Sequence, residues 1–405
     1  MKKTGVWLIG ALGSISVTVM LGSLILKKGM GRPTGMVTAL EPFAELDLIP
    51  LEAMEFGGCD IRQAKLFDTV NQIVQKTGGV DHSLLSAVAP DLAQIERNIC
   101  PGTSFNCGKS IEQISLVPTE RGKSLREEID QVACRLNTFR SSNGLDEVVV
   151  VNLASTEPLL ELKDCHRDAI ALERCIDNNL QDSLRASAIY AYAAIQSGYP
   201  YLNFTPSNGA LCPALVQLAQ TNGVPIMGND GKTGETLVKS ALAPMFKNRN
   251  LEILSWEGFN ILGNMDGQIL DCDENRQSKI KTKDAVLGKI LGYAPHSQVH
   301  INYVPSLGDQ KTAWDFIHFQ GFLGTKMSLQ FVWEGYDSAL AAPLVLDLVR
   351  FAELSHRRGE AGLMPHLASY FKDPIGVDEH GLNEQFQMLV KYAEKARKAP
   401  QVQSK

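Results

Sequence analysis

The chain has 405 residues, long enough for two or three domains with buried cores. With 44 % hydrophobic and 21 % charged residues it has the composition of an ordinary globular protein, which excludes collagen-like, low-complexity and wholly disordered chains. A formal net charge of −6 leaves no basic footprint for nucleic acid and describes a soluble protein of the cell interior, expected in the cytoplasm.

The first thirty residues support two readings. Thr4 to Leu26 carries no charge and is flanked by Lys2, Lys3, Lys27 and Lys28, as a membrane helix or signal anchor would be. The same letters also spell a strand (Thr4 to Ile9), a glycine turn (Gly10-Ala-Leu-Gly13-Ser-Ile-Ser16) and an apolar helix from Val17 to Lys27. That order opens a dinucleotide-binding unit, in which glycines let the backbone approach a pyrophosphate at a helix N-terminus. One of the three usual glycines is replaced by Leu12 and another by Ser16, so the motif alone does not decide.

Further along, Gly35 to Leu40 reads as a second strand and Phe56-Gly-Gly-Cys-Asp60-Ile61 as a glycine turn carrying one acid. Residues 64–145 read as polar helices around a Pro/Gly/Cys loop near 100–108, with little chemistry. Glu147 to Val151 is a β-branched run of the kind found in buried parallel strands, and it ends in the polar segment Asn152 to Glu157. A helix from Leu184 to Ser197 leads to Tyr201-Leu-Asn-Phe-Thr205-Pro-Ser-Asn208. A helix over 212–222 and a strand from Val224 to Met227 lead to Gly228-Asn-Asp230-Gly-Lys-Thr233-Gly234. Apolar strands that repeatedly end in small polar residues before a helix predict a doubly wound α/β domain with a parallel sheet over 1–235. From 236 the pattern changes, with strands at Leu251–Asn260, Val299–Val304 and Met327–Trp333 of a second, α+β unit. Ser338 to Leu354 is again an apolar helix, and the charged tail after 378 reads as frayed.

The candidate chemistry lies in lysines and aspartates. Lys279, Lys281 and Lys283 are either a solvated basic face or an anion site. Gly263-Asn264-Met-Asp266-Gly267 and Leu307-Gly308-Asp309-Gln-Lys311 read as turns that set an acid at a strand end, and Asp337-Ser338 as a helix cap. The histidines show no metal spacing. The eight cysteines have no C-x-x-C pair and read as free thiols, with Cys100 and Cys107 the pair to check for a local bridge. Lysines and acids beside a nicotinamide suit oxidation of an alcohol, use of the ketone formed, and stabilisation of an enolate by ammonium groups.

These blocks, in this order, together with Asp337-Ser-Ala-Leu-Ala-Ala-Pro343, resemble the inositol-3-phosphate synthases. The resemblance spans most of 5–375 except about 64–140. It implies a Rossmann-like domain over 1–235, completed by 335–405, and a central catalytic and oligomerisation domain over 236–334. It implies isomerisation of D-glucose 6-phosphate to 1D-myo-inositol 3-phosphate by a homotetramer with tightly held NAD. The steps are oxidation at C5, enolisation, aldol closure and re-reduction, with a divalent or monovalent cation as a further requirement left open. The family's four active-site lysines fall on Lys279, Lys283, Lys311 and Lys372, and their crowding is expected to lower the pKa of at least one. Its nucleotide contacts fall on Gly10, Gly13, Ser14, Asp60, Ala154, Ser155, Thr156, Thr205, Asp230, Thr233, Asn264, Asp266, Gly308, Asp309, Asp337 and Ser338. This chain departs from the family at Leu12, Leu153, Phe204 and Met265. The resemblance also turns Thr4 to Leu26 toward the strand–turn–helix reading, with no membrane partner. The competing readings are an NAD-linked enzyme for another sugar phosphate and a non-catalytic or membrane-anchored NAD-binding protein.

Overall fold

The computed structural model describes residues 2–79, 81–117, 122–264, 267 and 286–398. Its larger sheet has seven parallel strands in the order β11-β6-β5-β4-β1-β2-β3. They run over Thr4–Ile9 (β1), Met54–Asp60 (β2), Ile99–Pro101 (β3), Glu147–Asn152 (β4), Tyr201–Asn203 (β5), Pro225–Gly228 (β6) and Gly362–Leu363 (β11). β1 lies between β2 and β4, hydrogen-bonded to both. The apolar N-terminal segment is therefore a central strand followed by the 14-residue helix α1 (Ser14–Lys27). No described helix is long and apolar enough to cross a membrane.

The β-branched run of β4 explains why this sheet is buried on both faces. Val149 and Val151 enter one hydrophobic core and Val148 and Val150 the other, all fully buried. β1 does the same with Val6 and Leu8 against Trp7 and Ile9. The helix Asp337–Arg357 returns from the far end of the chain to pack with α1 in the first of these cores.

Two expected elements are different in the structure. Gly35 to Leu40 is not a strand but holds a short 3-10 turn, Val37–Ala39. The buried Asp347 carboxylate captures its backbone, accepting from Val37 N at 2.5 Å and Thr38 N at 3.3 Å, so those groups are not available to a sheet. Phe56 to Asp60 is not a turn but the body of β2. A Cβ on Gly57 would lie 2.6 Å from the Phe139 ring, and one on Gly58 would lie 2.1 Å from the Leu8 carbonyl oxygen. These glycines serve close packing.

The second sheet, β10-β9-β7-β8, is built from Glu252–Leu262 (β7), His296–Tyr303 (β8), Gln310–Gln320 (β9) and Lys326–Tyr336 (β10). β7 is parallel to β8 and antiparallel to β9. One face packs Ile253, Trp256 and Ile317 against Ala243 and Phe246 of the helix Glu235–Asn248. Within it Lys239 Nζ lies 2.7 Å from Glu235 Oε1, and Trp256 Nε1 donates to Asp315 Oδ1 at 2.7 Å. The opposite face carries exposed Phe259, Trp314 and Val332. β9 is not apparent in the sequence because the fully buried Asp315 interrupts its inward apolar positions. The tail after 378 is not frayed throughout: Leu382–Lys398 is a helix whose Gln385 is fully buried.

Candidate active site

A cleft of about 410 Å³ opens at the carboxyl ends of β1, β2, β4, β5 and β6, where open α/β sheets bind ligands. Its glycine turn is built as the sequence predicts. Gly10 has φ +80°, a left-handed conformation that favours glycine, and a Cβ there would lie 3.1 Å from the Ala154 backbone. Gly13 caps α1 without a side-chain hydrogen bond, so the first-turn N–H groups remain available beside the cleft. Ser16 replaces a glycine and adds a bond of its own, donating from Oγ to Gly10 O at 2.7 Å.

Asp60 closes the adjacent strand. Its Oδ2 accepts from Leu12 N at 2.8 Å, and its Oδ1 accepts from Arg62 N at 2.8 Å. This free helix end, the close approach at Gly10 and the acid at the end of β2 fit a dinucleotide, its pyrophosphate at the helix and its ribose at the acid.

A buried polar ladder, not anticipated from sequence, sets the opposite wall. Asn152 Nδ2 donates to Asn203 Oδ1 at 3.1 Å, Thr205 Oγ1 to the same oxygen at 2.8 Å, and Asn203 Nδ2 to Asn229 Oδ1 at 2.5 Å. The ladder crosses the ends of β4, β5 and β6 and fixes the loops that follow them. Glu157, fully buried in this wall, accepts from Ser187 N at 2.9 Å and from its hydroxyl. Burial pushes its carboxyl up to about 7, against the Ser187 hydrogen bonds and the Arg185 charge. Unfolded, it would ionise near 4.5, so its contribution to stability is lost as pH rises from about 4.5 through 7. Glu157→Gln is expected to remove that loss, gaining on the order of 2 kcal/mol relative to the unsubstituted chain between pH 5 and pH 8. Denaturant midpoints at the two pH values check this, and a constant offset between the proteins would overturn it.

At the floor, Lys372 Nζ donates to Asp230 Oδ1 at 2.7 Å, with both side chains buried. Their backbones are also tied, Lys372 N donating to Asp230 O at 2.7 Å. Lys311 Nζ lies 3.4 Å from Asp337 Oδ2, and Thr233 Oγ1 is 3.4 Å from the other oxygen of that carboxylate. Ser338 Oγ donates to Asp309 Oδ2 at 2.8 Å, and Ser14 also bonds this carboxylate, whose pKa burial raises. Asp337 and Ser338 open their helix without a side-chain cap, so they act toward the cleft and not as the cap signal they resemble.

The cleft wall thus holds Gly10, Gly13, Ser14, Asp60, Ala154, Ser155, Thr156, Thr205, Asp230, Thr233, Asn264, Asp309, Asp337, Ser338 and Lys372. Gly308 and Lys311 are not on that wall; Lys311 reaches it through Asp337. Lys279, Lys283 and Asp266 lie outside the described residues. Sequence reasoning missed Thr69, Gln72 and Lys76, which the helix Leu66–Thr77 presents to the cleft from a region read as chemically silent. Their i, i+3, i+7 spacing was the available signal. It also missed Lys232, which burial and the neighbouring Lys372 charge push down to about 7. Lys232 Nζ donates to Gln385 Oε1 at 2.5 Å. The seven described cysteines are free, Cys100 and Cys107 included.

A parallel sheet with this turn, helix end and acid, enclosing a buried ammonium–carboxylate pair, defines a dinucleotide-binding α/β enzyme of the Rossmann type. Comparison with known proteins gives the family. The chain belongs to the myo-inositol-1-phosphate synthase family, whose model it matches over residues 4–393. It is 32 % identical to inositol-3-phosphate synthase 1 of Bacteroides thetaiotaomicron over 403 residues, covering 93 % of this chain and 91 % of that one. Among solved structures it resembles a myo-inositol-1-phosphate synthase-related protein from Thermotoga maritima, with 26 % identity, TM-score 0.81 and coverage of 97 % and 98 % of the two chains. The inositol-3-phosphate synthase of Caenorhabditis elegans shares the fold at TM-score 0.86 and 24 % identity, over 98 % of this chain and 86 % of that one.

Proposed function

We propose that this chain is an NAD-dependent inositol-3-phosphate synthase, isomerising D-glucose 6-phosphate to 1D-myo-inositol 3-phosphate. The observation that carries the reading on the structural side is the buried Lys372–Asp230 pair, 2.7 Å apart at the floor of a dinucleotide cleft. NAD would be held at Gly10, Gly13 and Ser14 through its pyrophosphate, at Asp60 through the adenosine ribose, and by the loops after β4, β5 and β6. When bound it accepts two electrons from an alcohol and later returns them, so no net oxidation results.

This chain's residues move the protons. Lys372 Nζ, with Lys279, relays the C5 hydroxyl proton as the ketone forms: the Lys372 ammonium hands a proton to Asp230 Oδ1 and takes the one that leaves the C5 hydroxyl. The ketone makes C6 acidic, a neutral amine of the lysine cluster takes its proton, and the C6 carbanion closes on the C1 aldehyde, whose oxygen then receives that proton. Lys283 and Lys311 hold the oxyanion at C1 and the phosphate, and Asp337 fixes Lys311. Burial and the Lys372 charge push Lys232 down to about 7, so its own charge is lost as pH rises above that value.

The same proposal assigns 1–235 with 335–405 to nucleotide binding and 236–334 to catalysis and assembly, in the cytoplasm. The open aromatic face, where Phe259 stacks on His300 and lies tilted against Trp314, supports a homotetramer formed through the second sheet. A sedimentation mass of four chains is expected, and a monomer at micromolar concentration would overturn that part.

The activity is tested by incubating the purified chain with glucose 6-phosphate and catalytic NAD, following phosphorus NMR and the NADH absorbance together. Inositol phosphate without net NADH is expected. Net NADH, or turnover only with another sugar phosphate, would overturn the reading. Parallel reactions with a chelator and with exchanged monovalent ions define the cation requirement.

A further inference from the structure

The acid at the end of β2 is not a bare carboxylate. Arg62, two residues on, places its Nε 3.3 Å from Asp60 Oδ1, while Asp60 Oδ2 is taken by Leu12 N. Among the described residues the guanidinium makes no other hydrogen bond, so Nη1 and Nη2 have no protein acceptor. Its side chain is 28 % exposed at the mouth of the cleft, which it lines together with Asp60.

In a parallel dinucleotide fold this corner receives the 2′ position of the adenosine ribose. An acid alone accepts a hydrogen bond from a 2′-hydroxyl and repels a 2′-phosphate. An arginine here supplies two parallel donors in the fork geometry that matches phosphate. Asp60 orients that fork from behind, through Nε, and Arg62 offsets the charge that would otherwise repel a second anion.

We propose that the Asp60–Arg62 pair makes this corner accept a 2′-phosphorylated dinucleotide, NADP, as well as NAD, with Arg62 as the residue that decides how well. The proposal rests on the nucleotide assignment made above. NAD uses the carboxylate, while NADP sets its 2′-phosphate on Nη1 and Nη2 at the solvent edge, where the charge is partly hydrated.

Calorimetric titration of the full chain with NAD and with NADP, at low and high salt, tests this without relying on turnover. NADP is expected to bind within about tenfold of NAD at low salt, and to lose more affinity than NAD as salt rises. Arg62→Ser is expected to weaken NADP by about 30-fold and NAD by less than about threefold, while Arg62→Lys keeps part of the NADP affinity as a point charge. NAD binding with no measurable NADP binding would overturn the proposal and leave the synthase reading in place. Equal weakening of both by Arg62→Ser would also overturn it, because the arginine would then only hold Asp60 or stack on the base. Failure of both dinucleotides to bind would overturn the synthase reading together with this one.

Discussion

Replacing Lys372 by methionine is expected to lower glucose 6-phosphate turnover by about 10³-fold while leaving NAD affinity within a few fold, as loss of a positioned acid–base group does. The prediction comes from where the ammonium sits. Lys372 is buried, 2.7 Å from Asp230 Oδ1, and its backbone N–H is bonded to the Asp230 carbonyl, so the pair is fixed before any sugar arrives. Arginine should not restore activity, because a guanidinium keeps its proton at any working pH. Removing only the ammonium leaves a buried carboxylate without its cation, a cost of about 3–5 kcal/mol. Melting curves must therefore accompany the kinetics. Asp230→Asn supplies the complementary test, since it keeps the shape and a hydrogen-bonding oxygen and is expected to cost about 10²-fold. If a folded Lys372→Met protein kept a tenth or more of the activity, the C5 proton would have to leave by another group.

Gly58→Ala is expected to be the most damaging single methyl group that can be added to the central sheet. The new Cβ would meet the Leu8 carbonyl oxygen at 2.1 Å and the Ala11 Cβ at 2.9 Å. Leu8 and Gly58 are paired partners in β1 and β2, so relief requires pulling those strands apart beside the glycine turn. A loss of about 4 kcal/mol or more follows, enough to unfold a chain of ordinary marginal stability. Gly22→Ala is the control. It lies within α1 with open space around its missing Cβ, and should stabilise by about 0.5–1 kcal/mol. A melting temperature unchanged by Gly58→Ala would show that β2 can shift, contrary to its tight packing.

What could be read from the residues and what could not divides along physical lines. The strand, turn and helix of 4–27, the buried run of β4 and the polar segments after β4, β5 and β6 were legible because each depends on local pattern. The double glycine of β2 was misread as a turn, since Gly57 and Gly58 owe their place to Phe139 and Leu8, partners far away in sequence. β9 was missed because a buried charge, Asp315, interrupts its alternation and is satisfied by Trp256. Lys232 drew no notice beside the family's four lysines. What singles it out is burial and the nearness of Lys372, and neither has a signature in one dimension.

The two banks of the cleft come from segments far apart in the chain. Gly10 and Ser14 leave a ribosome well before Asp337, Lys372 and Gln385. The first strand is complete within nine residues, yet its β4 neighbour begins only at Glu147, and its helix α1 packs against Asp337–Arg357. A nascent chain can therefore assemble the sheet's middle well before it owns an acid–base pair. A chain halted before Lys372 would carry the nucleotide turn without the buried Lys372–Asp230 pair.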